Sequence, residues 1–501
     1  MIGDLWPHQK RGLEVLRASL MAGCRRPMVQ AATGAGKTLF ATKIIEMALA
    51  KGKRVAFVVP FLSLIGQTVR VLRAQGIDAV GVMQGIHELT DATQPVQVCS
   101  IQTLSRRALP KVDLVIVDEA HVMYQFLRTW MAMPEWSRVP FVGLSATPWA
   151  KGLGKHYDDL IVMATAAELI EAKRLSPYRV FAPSHPDLSK VRTTAGDYNE
   201  GDLSEVMSQP TLVGDVVSTW LRQAEERPTL VFAVDRAHAR RLADEFEAAG
   251  VPSEYVDANT PIEERDAIGE RLADGRIKVV VNIGTLTTGV DWDVRCIVLA
   301  RPTKSEMLFV QIIGRGLRLA DGKTDCLVLD HSDTTLRLGF PSEIHYDRLD
   351  DGKPKTSTQA KREKSTPLPK ECPSCTRLKP AGVRECPSCG FAPEKQSGIE
   401  CFDGDLVPLK GSKEKKRREP TPHSPQEVYG MLLWHANERG YKPGYAIAKF
   451  VDRYGSYPDK MGVKRQPMEP DAAFLGWIRS MQIRYAKGME KKRREDPTLA
   501  L

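Results

Sequence analysis

Short apolar runs alternate with amphipathic stretches in two parts of the chain, and this alternation constrains the fold more than any other feature. Between residues 28 and 148 the runs that fit buried strands are MVQAA, RVAFVVP, VQVCS, VDLVIVDEA and FVGLSATP. From about residue 228 they are TLVFAVD, SEYVDAN, IKVVVNIG, RCIVLARP and DCLVLDHS. Apolar strands separated by helices form parallel sheets with helices on both faces. The sequence therefore predicts an α/β fold with two parallel-sheet domains in tandem.

Composition divides the rest of the chain. Polar segments rich in Pro, Gly, Lys, Ser and Thr cannot bury a core and are typical of connections and linkers. A cysteine cluster and a last stretch with apolar and aromatic residues interrupt them. The predicted order is a first domain (1–182), an interdomain connection (183–211), a second domain (212–350), a linker (351–371), a four-cysteine module (372–392), a basic linker (393–426) and a small helical C-terminal domain (427–501).

Charge is distributed unevenly along the chain. The 501 residues carry a net charge of +9, made up of about −2 over residues 1–350 and about +11 over residues 351–501. A solvated basic tail is one explanation, and a polyanionic partner such as nucleic acid is the other. The sequence has no signal peptide and no apolar stretch of membrane-spanning length, so we expect a cytoplasmic protein without a membrane partner.

The segment AATGAGKT, residues 31 to 38, lies between an apolar run and a helix-like stretch. This is the context of phosphate-binding loops, although Ala31 stands where the strict pattern has Gly. The glycines let the backbone N–H groups face phosphates, while Lys37 and Thr38 offer a charge for the phosphates and a hydroxyl for Mg²⁺. A chance glycine turn is the alternative. The candidate phosphate-binding residues are Thr33, Gly34, Ala35, Gly36, Lys37 and Thr38.

A pair of carboxylates follows another predicted strand, VDLVIV. Asp118 and Glu119 should lie at the carboxyl edge of the sheet, where open α/β folds bind ligands. Asp118 can hold Mg²⁺, and Glu119 can orient and deprotonate a water molecule for attack on a phosphate. Alone, such a pair is more often a solvated strand end; with the phosphate loop it indicates nucleotide hydrolysis.

The second domain contains QIIGRGLR, residues 311 to 318. A helix through this segment would place Gln311, Arg315 and Arg318 on one face, since positions i, i+4 and i+7 are neighbours. Arginines on that face could stabilise the charge that develops on a γ-phosphate. An ordinary basic helix surface is the alternative explanation.

Taken together, residues 4 to 340 resemble the superfamily 2 helicases of the DEAH-containing kind. The motifs occur in the family order: LWPHQ (5–9), AATGAGKT (31–38), VVPFLSLIGQ (58–67), SIQTL (100–104), DEAH (118–121), SATP (145–148), NIGTLTTGVD (282–291) and QIIGRGLR (311–318). The resemblance implies two RecA-like domains that close over ATP and Mg²⁺ and open after hydrolysis. Each cycle would move the grip on a nucleic-acid strand, through contacts made mainly to its backbone.

The resemblance also implies roles for individual residues. Gln9 would contact adenine, although Trp6 and His8 stand where related enzymes commonly carry Arg and Tyr. Gly289 and Asp291 would lie near the nucleotide, and Arg315 and Arg318 would act as arginine fingers. Contacts to the nucleic-acid backbone would come from Pro60, Gln102, Thr103 and Thr285. Coupling between hydrolysis and movement would involve His121, Ser145 and Thr147.

Four cysteines lie within eighteen residues in the pattern CPSC, ten residues, CPSC. Two such knuckles can hold one tetrahedral Zn²⁺ through four thiolates, so Cys372, Cys375, Cys386 and Cys389 predict a zinc ribbon. A disulfide pair or a loop without metal is the alternative. The zinc ribbon could contact nucleic acid, another protein or neither.

A helicase core followed by a four-cysteine module and a short aromatic tail resembles the RadD group of bacterial and phage DNA repair proteins. We therefore expect a DNA helicase or translocase that acts on single-stranded or branched DNA, with RNA as a further possibility. The alternatives are the motor subunit of a restriction or remodelling complex, and an ATP-dependent adapter for a single-strand binding protein. The tail aromatics fit base stacking, but core packing is the more frequent role.

Overall fold

The computed structural model describes residues 5–85, 87–194, 196–287, 292–353, 367–393, 423–442 and 444–479. The described chain forms two compact units, residues 1–396 and residues 397–501. The helices of the first unit are α1 (Pro7–Met21), α2 (Lys37–Leu49), α3 (Ser63–Ala74), α4 (Ile101–Leu104), α5 (Gln125–Ala132), α6 (Ala166–Glu171), α7 (Glu200–Met207), α8 (Pro210–Gln223), α9 (Arg236–Ala248), α10 (Ile262–Ala273), α11 (Glu306–Gly316) and α12 (Thr334–Leu338). Short 3₁₀ turns lie at Pro134–Trp136, Leu153–Lys155 and Thr285–Thr287.

The first sheet has seven parallel strands in the order β3-β4-β2-β5-β6-β1-β7. Its central strands are apolar and buried along their whole length because helices cover both faces. The strands are β1 (Pro27–Ala31), β2 (Val55–Val59), β3 (Val80–Met83), β4 (Val96–Ser100), β5 (Leu114–Val117), β6 (Phe141–Ser145) and β7 (Asp159–Ala164).

The second sheet has six parallel strands in the order β12-β13-β11-β14-β15-β8. The prediction of two RecA-like parallel-sheet domains is therefore confirmed. The strands are β8 (Tyr178–Phe181), β11 (Thr229–Phe232), β12 (Ser253–Val256), β13 (Val279–Asn282), β14 (Cys296–Leu299) and β15 (Cys326–Asp330).

Strand β8 requires a correction to the predicted domain boundary. A first domain that runs to residue 182 includes this strand, but β8 pairs with β15 in the second sheet. The chain therefore enters the second domain before residue 178. The following segment, predicted as a connection, contains the hairpin of β9 (Thr193–Thr194) and β10 (Asp197–Tyr198) and then α7.

The four-cysteine module contains a two-stranded antiparallel sheet, β16 (Lys370–Glu371) with β17 (Leu378–Lys379). The module lies against the edge of the second sheet: Phe181 and Arg377 form an antiparallel bridge, and Ala182 N–H donates to Thr376 O over 3.0 Å.

The described part of the second unit is helical, with α13 (Pro425–Glu438), α14 (Gly444–Tyr454), a 3₁₀ turn at Asp459–Met461 and a helix over 472–479. Its core holds Phe450, and Tyr445, Tyr454 and Trp477 pack partly buried against it, whereas Tyr441 and Tyr457 are exposed. In the described parts of the chain, every helix is too short or too polar to cross a membrane.

Candidate active site

The phosphate loop lies where the predicted strand, loop and helix order places it. Strand β1 ends at Ala31 and α2 begins at Lys37. Gly34 and Gly36 have φ angles of 86° and 75°, in the left-handed region that glycine adopts without steric cost. Gly36 is the N-cap of α2 and has no side chain to cap the first N–H groups, which therefore stay available for phosphate oxygens.

Gln9 supports this loop from α1. Its side-chain amide donates to the carbonyl oxygens of Ala35 and Gly36 over 3.2 and 3.1 Å, and its Oε1 accepts from the Trp6 N–H over 2.9 Å. The residue is fully buried. The neighbouring His8 ring also lies 3.1 Å from Ala35 O. The loop conformation therefore depends on the LWPHQ segment; whether Gln9 contacts adenine remains a prediction.

The acidic pair lies directly opposite the loop. Asp118 and Glu119 follow β5, which is separated from β1 in the sheet by β6 alone. Glu119 Oε1 forms an ion pair with Lys37 Nζ at 2.9 Å, and the Glu119 N–H donates to Asp118 Oδ1 over 2.9 Å. Glu119 has a φ of 46°, which is uncommon for a residue with a side chain and is typical of functional sites.

Burial and neighbouring charges raise the pKa of one carboxylate and lower the pKa of the other. Burial raises the pKa of Asp118 to about 6, and the adjacent Glu119 charge adds to this effect while Lys37 opposes it. Burial also acts on Glu119, but the charge and hydrogen bond of Lys37 outweigh it, with a contribution from Arg315, and hold the pKa of Glu119 below its usual value. Glu119 is therefore ionised at neutral pH, whereas at Asp118 the effect of burial exceeds that of the Lys37 charge.

Helix α11 of the second sheet faces this edge of the first. Gln311 Nε2 donates to Thr147 Oγ1 over 3.1 Å and lies 3.4 Å from His121 Nε2. His121 Nδ1 lies 2.9 Å from Ser145 Oγ and 3.3 Å from Glu119 Oε2. Burial lowers the pKa of His121, so the imidazole is neutral at neutral pH. One chain of contacts thus joins three sequence motifs from two domains.

Two further residues of α11 complete the interface. A Cβ built on Gly314 would lie 2.8 Å from the Cβ and Oγ1 of Thr33, so the helix backbone touches the phosphate loop. Arg315 is buried and close enough to Glu119 to lower its pKa. The structure therefore brings Lys37, Glu119 and Arg315 into one cleft.

Arg318 lies just past the end of the helix predicted to carry it. Helix α11 ends at Gly316, and the Lys323 ammonium accounts for this end by donating to the carbonyl oxygens of Gly316 and Arg318 over 2.6 and 2.8 Å. Arg318 therefore lies beyond the helix. Gly289 and Asp291 fall outside the described residues.

The predicted nucleic-acid contacts lie on neighbouring strands of the first sheet. Pro60 follows β2, and Gln102 and Thr103 belong to α4, which follows β4. Gln102 Nε2 donates to Pro60 O over 2.7 Å, and Thr103 Oγ1 lies 2.8 Å from Ser100 Oγ. In the second sheet, Thr285 lies in the 3₁₀ turn after β13.

The four cysteine sulfurs lie within 4.8 Å of one another. The Sγ atoms of Cys372 and Cys389 are 3.7 Å apart and those of Cys375 and Cys386 are 3.6 Å apart, well beyond the disulfide bond length of about 2.05 Å. The two knuckles repeat the same bonds: Thr376 N–H donates to Cys372 O and Gly390 N–H to Cys386 O, each over 2.9 Å. The cluster can hold one metal ion.

Residues near the cleft that sequence reasoning missed include Gly314, Trp149 and Tyr346. Gly314 was visible in the sequence, since a glycine inside a predicted helix often marks a close approach. Trp149 and Tyr346 lie 5.5 Å apart between ring centroids, in segments distant in sequence, and no local pattern indicates such a pair.

Family models match both domains. The model described as the res subunit of type III restriction enzymes matches residues 3–150, and that of the helicase conserved C-terminal domain matches residues 212–320. A provisionally assigned HsdR subunit of a type I restriction enzyme from Vibrio vulnificus YJ016, solved as a fragment, has a TM-score of 0.53, 20% identity and coverage of 69% of each chain. At that identity the likeness shows the fold alone.

Two sequence relatives extend the comparison. A 51.5 kDa protein of a Lactococcus phage (isolate 7-9) is 30% identical over 407 residues, which are 78% of this chain and 85% of the phage protein. IRC3 of Saccharomyces cerevisiae (strain ATCC 204508 / S288c), provisionally named an ATP-dependent helicase, is 31% identical over 349 residues, 64% of this chain and 50% of that protein. With its two RecA-like domains and the family models of both, the chain is a member of the superfamily 2 helicases and an ATP-dependent motor that acts on nucleic acid.

Proposed function

We propose that this helicase is a DNA-stimulated ATPase that translocates on, unwinds or remodels single-stranded or branched DNA. The observation that carries the proposal is the single cleft in which Lys37 and Glu119 of the first domain face Gln311 and Arg315 of the second. A cleft between two domains converts nucleotide turnover into relative movement of those domains.

The first domain supplies the triphosphate and Mg²⁺ site. Lys37 and the open N-terminus of α2 bind the β- and γ-phosphates, and Thr38 and Asp118 hold Mg²⁺. Asp118 fits this role because burial disfavours its negative charge more than Lys37 favours it, and a bound cation would supply the missing charge. When bound, Mg²⁺ neutralises charge that develops on the phosphates.

The ion pair between Lys37 and Glu119 sets the order of events. A triphosphate that takes up the Lys37 ammonium releases the Glu119 carboxylate, which is already ionised. Glu119 then accepts a proton from a water molecule as the water oxygen attacks the γ-phosphorus, and ADP leaves with the electrons of the broken P–O bond. His121 Nδ1 lies 3.3 Å from the other carboxylate oxygen of Glu119 and 2.9 Å from Ser145 Oγ, so a change at Glu119 would reach Ser145 through this ring.

The second domain supplies the remaining charge. Arg315 acts as the arginine finger because it is the arginine of α11 that is buried at the cleft and acts electrostatically on Glu119. Gln311 couples the position of α11 to Thr147 and His121. The position of Arg318 past the helix end favours an auxiliary role.

DNA and repair are proposed from the likeness to the RadD group, together with the DEAH sequence and the four-cysteine module that follows the motor. Pro60, Gln102, Thr103 and Thr285 would contact the strand through its backbone, so binding should be sensitive to salt and tolerant of base sequence. The four thiolates have the spacing and proximity of a zinc site, and we propose Zn²⁺ as their metal. The experiment below also tests two alternatives: that the substrate is RNA, and that the protein is an adapter for a single-strand binding protein.

A motor subunit of a restriction complex is the second candidate, because the family model of the first domain is named for a restriction subunit. Such motors would pump duplex DNA, whereas a repair helicase would need a single strand or a fork. Displacement of a third strand from duplex DNA therefore separates the two functions.

The test compares ATP hydrolysis with single-stranded DNA, duplex DNA, forked DNA and RNA, for the natural protein and the variants Lys37→Ala and Arg315→Ala. We expect the rate to rise most with single-stranded or forked DNA, and each variant to lower it by roughly 10³-fold, since each loses a charge at the γ-phosphate. Arg318→Ala is the matched control and should lose less than Arg315→Ala.

Turnover at the natural rate in the Lys37 variant would contradict the site. Stimulation by RNA alone would replace the DNA proposal. Stimulation by duplex alone, with triplex displacement, would favour the restriction motor. DNA binding that requires ATP but not its hydrolysis would favour the adapter.

A further inference from the structure

Residues 342–353, here called the return segment, leave the second domain and lie back on the first. At the start of the segment, the hydroxyl groups of Tyr178 and Ser342 form a hydrogen bond of 2.7 Å, which fixes the segment to strand β8. Tyr346 then donates its hydroxyl to the carboxylate of Glu306, the first residue of α11. The segment thus contacts the helix that carries Gln311 and Arg315.

The end of the return segment is bonded to the first domain. Asp350 Oδ1 accepts the N–H of Gly152 over 2.8 Å, and the Asp350 carbonyl oxygen accepts the N–H of Gly154 over 2.8 Å. The same carboxylate also accepts the Gly352 N–H over 2.7 Å, which shapes the segment locally. Leu349 packs against the apolar cluster under the first sheet.

Glycines allow this close approach. A Cβ on Gly352 would lie 2.8 Å from Lys155 Cε and 3.2 Å from Gly152 Cα. A Cβ on Gly154 would lie 3.1 Å from Asp350 O. The two backbones therefore touch, five residues or more beyond Thr147, which Gln311 contacts from the other domain.

Tyr346 occupies the middle of the segment and contacts both domains at once. Its hydroxyl is bonded to Glu306 in the second domain, and its ring packs 5.5 Å from the Trp149 ring in the first. The backbone N–H of Trp149 in turn donates to Thr147 O over 2.8 Å. One side chain thus joins the start of α11 to the segment that follows the SATP motif.

We propose that the return segment holds α11 against the phosphate loop, and that Tyr346 and Asp350 are positioning residues for ATP hydrolysis. Tyr346 acts through Glu306 and α11; Asp350 acts through the backbone of the loop that follows Thr147. The inference rests on the proposed function of the cleft. The return segment would then contribute to ATP binding and hydrolysis and would not serve only as a linker.

The segment works by keeping the two halves of the site close before ATP binds. A tether raises the effective concentration of Arg315 at the γ-phosphate, so less of the binding energy of ATP is used to bring the domains together. Loss of the tether should therefore raise the KM for ATP. It should leave kcat nearly unchanged, because at saturating ATP the cleft is occupied and closed.

The experiment measures kcat and KM for ATP at saturating single-stranded DNA for Asp350→Ala, Asp350→Asn, Tyr346→Phe and the control Asp351→Ala. Asp351 is adjacent, carries the same charge and contacts the exposed Lys353. We expect Asp350→Ala to raise KM roughly tenfold, because it loses a charge-assisted hydrogen bond that crosses the domains. Asp350→Asn keeps an acceptor oxygen and should recover part of the affinity, and Asp351→Ala should match the natural protein.

An Asp350→Ala protein with the same KM as Asp351→Ala would overturn the proposal, as would a fall in kcat with KM unchanged. Thermal unfolding shows whether each variant is folded. If Asp350→Ala is not, Tyr346→Phe decides, since it removes one oxygen atom: a severalfold rise in KM supports the proposal and an unchanged KM overturns it. Lys37→Ala in the same assay separates this result from failure of the proposed function, which would appear as undiminished hydrolysis by that variant.

Discussion

Replacing Gly314 by Ala tests whether the two domains meet during hydrolysis as they do in the structure. Gly314 lies inside α11, where its backbone is helical and its missing side chain faces Thr33 of the phosphate loop. An added Cβ would stand 2.8 Å from both the Cβ and the Oγ1 of Thr33 and 3.2 Å from its Cγ2. The added methyl group therefore affects the contact between domains and leaves the second domain itself intact.

The size of the effect follows from this geometry. Carbon atoms in good contact are about 3.5–4.0 Å apart, so the helix and the loop must separate by roughly 1 Å. A misplacement of about 1 Å in a catalytic group costs on the order of 10²-fold in rate. Within the second domain, Gly to Ala in a helix should stabilise by roughly 0.5–1 kcal/mol. Activity and stability should therefore change in opposite directions.

The assay pairs DNA-stimulated ATP hydrolysis with thermal unfolding, for Gly314→Ala and for Gly316→Ala in the same helix. A Cβ on Gly316 would collide with Cys326 Sγ and lie 2.9 Å from Ile297 Cγ1, both inside the second domain. Overpacking of this kind costs about 1–3 kcal/mol. We expect the Gly314 variant to hydrolyse ATP 10- to 100-fold more slowly without loss of stability, and the Gly316 variant to unfold at a lower temperature.

A Gly314→Ala protein that hydrolyses ATP within twofold of the natural rate would refute this reasoning. It would mean that α11 and the phosphate loop are farther apart in the hydrolytic state than in the structure. A Gly314 variant that is both slow and unstable would assign its loss of activity to misfolding instead.

Two further predictions concern the metal site and pH. We expect one zinc ion per chain by metal analysis, with Cys386→Ser losing the metal and part of the thermal stability; metal-free protein whose thiols all titrate normally would contradict this. Burial raises the pKa of Asp118 from 3.8 to about 6, so the stability contributed by this group is complete below pH 3.8 and lost as pH rises through about 6. Asp118→Asn should therefore be more stable than the natural protein at pH 8 by up to about 3 kcal/mol in Mg²⁺-free buffer, yet inactive. Unfolding curves at pH 5 and pH 8 check the sign, since the difference should shrink at the lower pH.

Most of the fold could be predicted from the sequence because buried parallel strands are apolar throughout. The strands that were not predicted lie at or near sheet edges. β3 is four residues long, and β7 begins with Asp159 and forms the other edge of the first sheet. β8 includes the polar Arg179 and joins a sheet whose other strands begin far along the chain, and hydrophobic periodicity does not indicate which sheet a strand enters.

The residues on each side of the cleft could also be predicted, since the motifs of the first domain follow a strand or start a helix and QIIGRGLR has helical spacing. The contacts across the cleft could not, because they depend on the relative position of two domains. Arg318 illustrates the limit: helical spacing placed it in the helix, but α11 ends at Gly316, where the Lys323 ammonium binds the carbonyl oxygens of Gly316 and Arg318. Sequence patterns indicate that a helix forms, but tertiary contacts influence the residue at which it ends.

The order of strands in the first sheet accounts for the division of the site into two functions. The strands β4 and β2 carry the residues proposed to grip nucleic acid, and β5, β6 and β1 carry those of the nucleotide site. β2 and β5 are neighbours, so the two functions meet at one pair of strands. Because the edge of a packed sheet hardly deforms, nucleotide binding cannot move the proposed nucleic-acid contacts relative to the nucleotide site within the first domain alone. The movement must therefore come from the second domain, through the contacts of α11 with Thr147 and Thr33, and changes at those contacts should uncouple hydrolysis from DNA while DNA binding by the first domain persists.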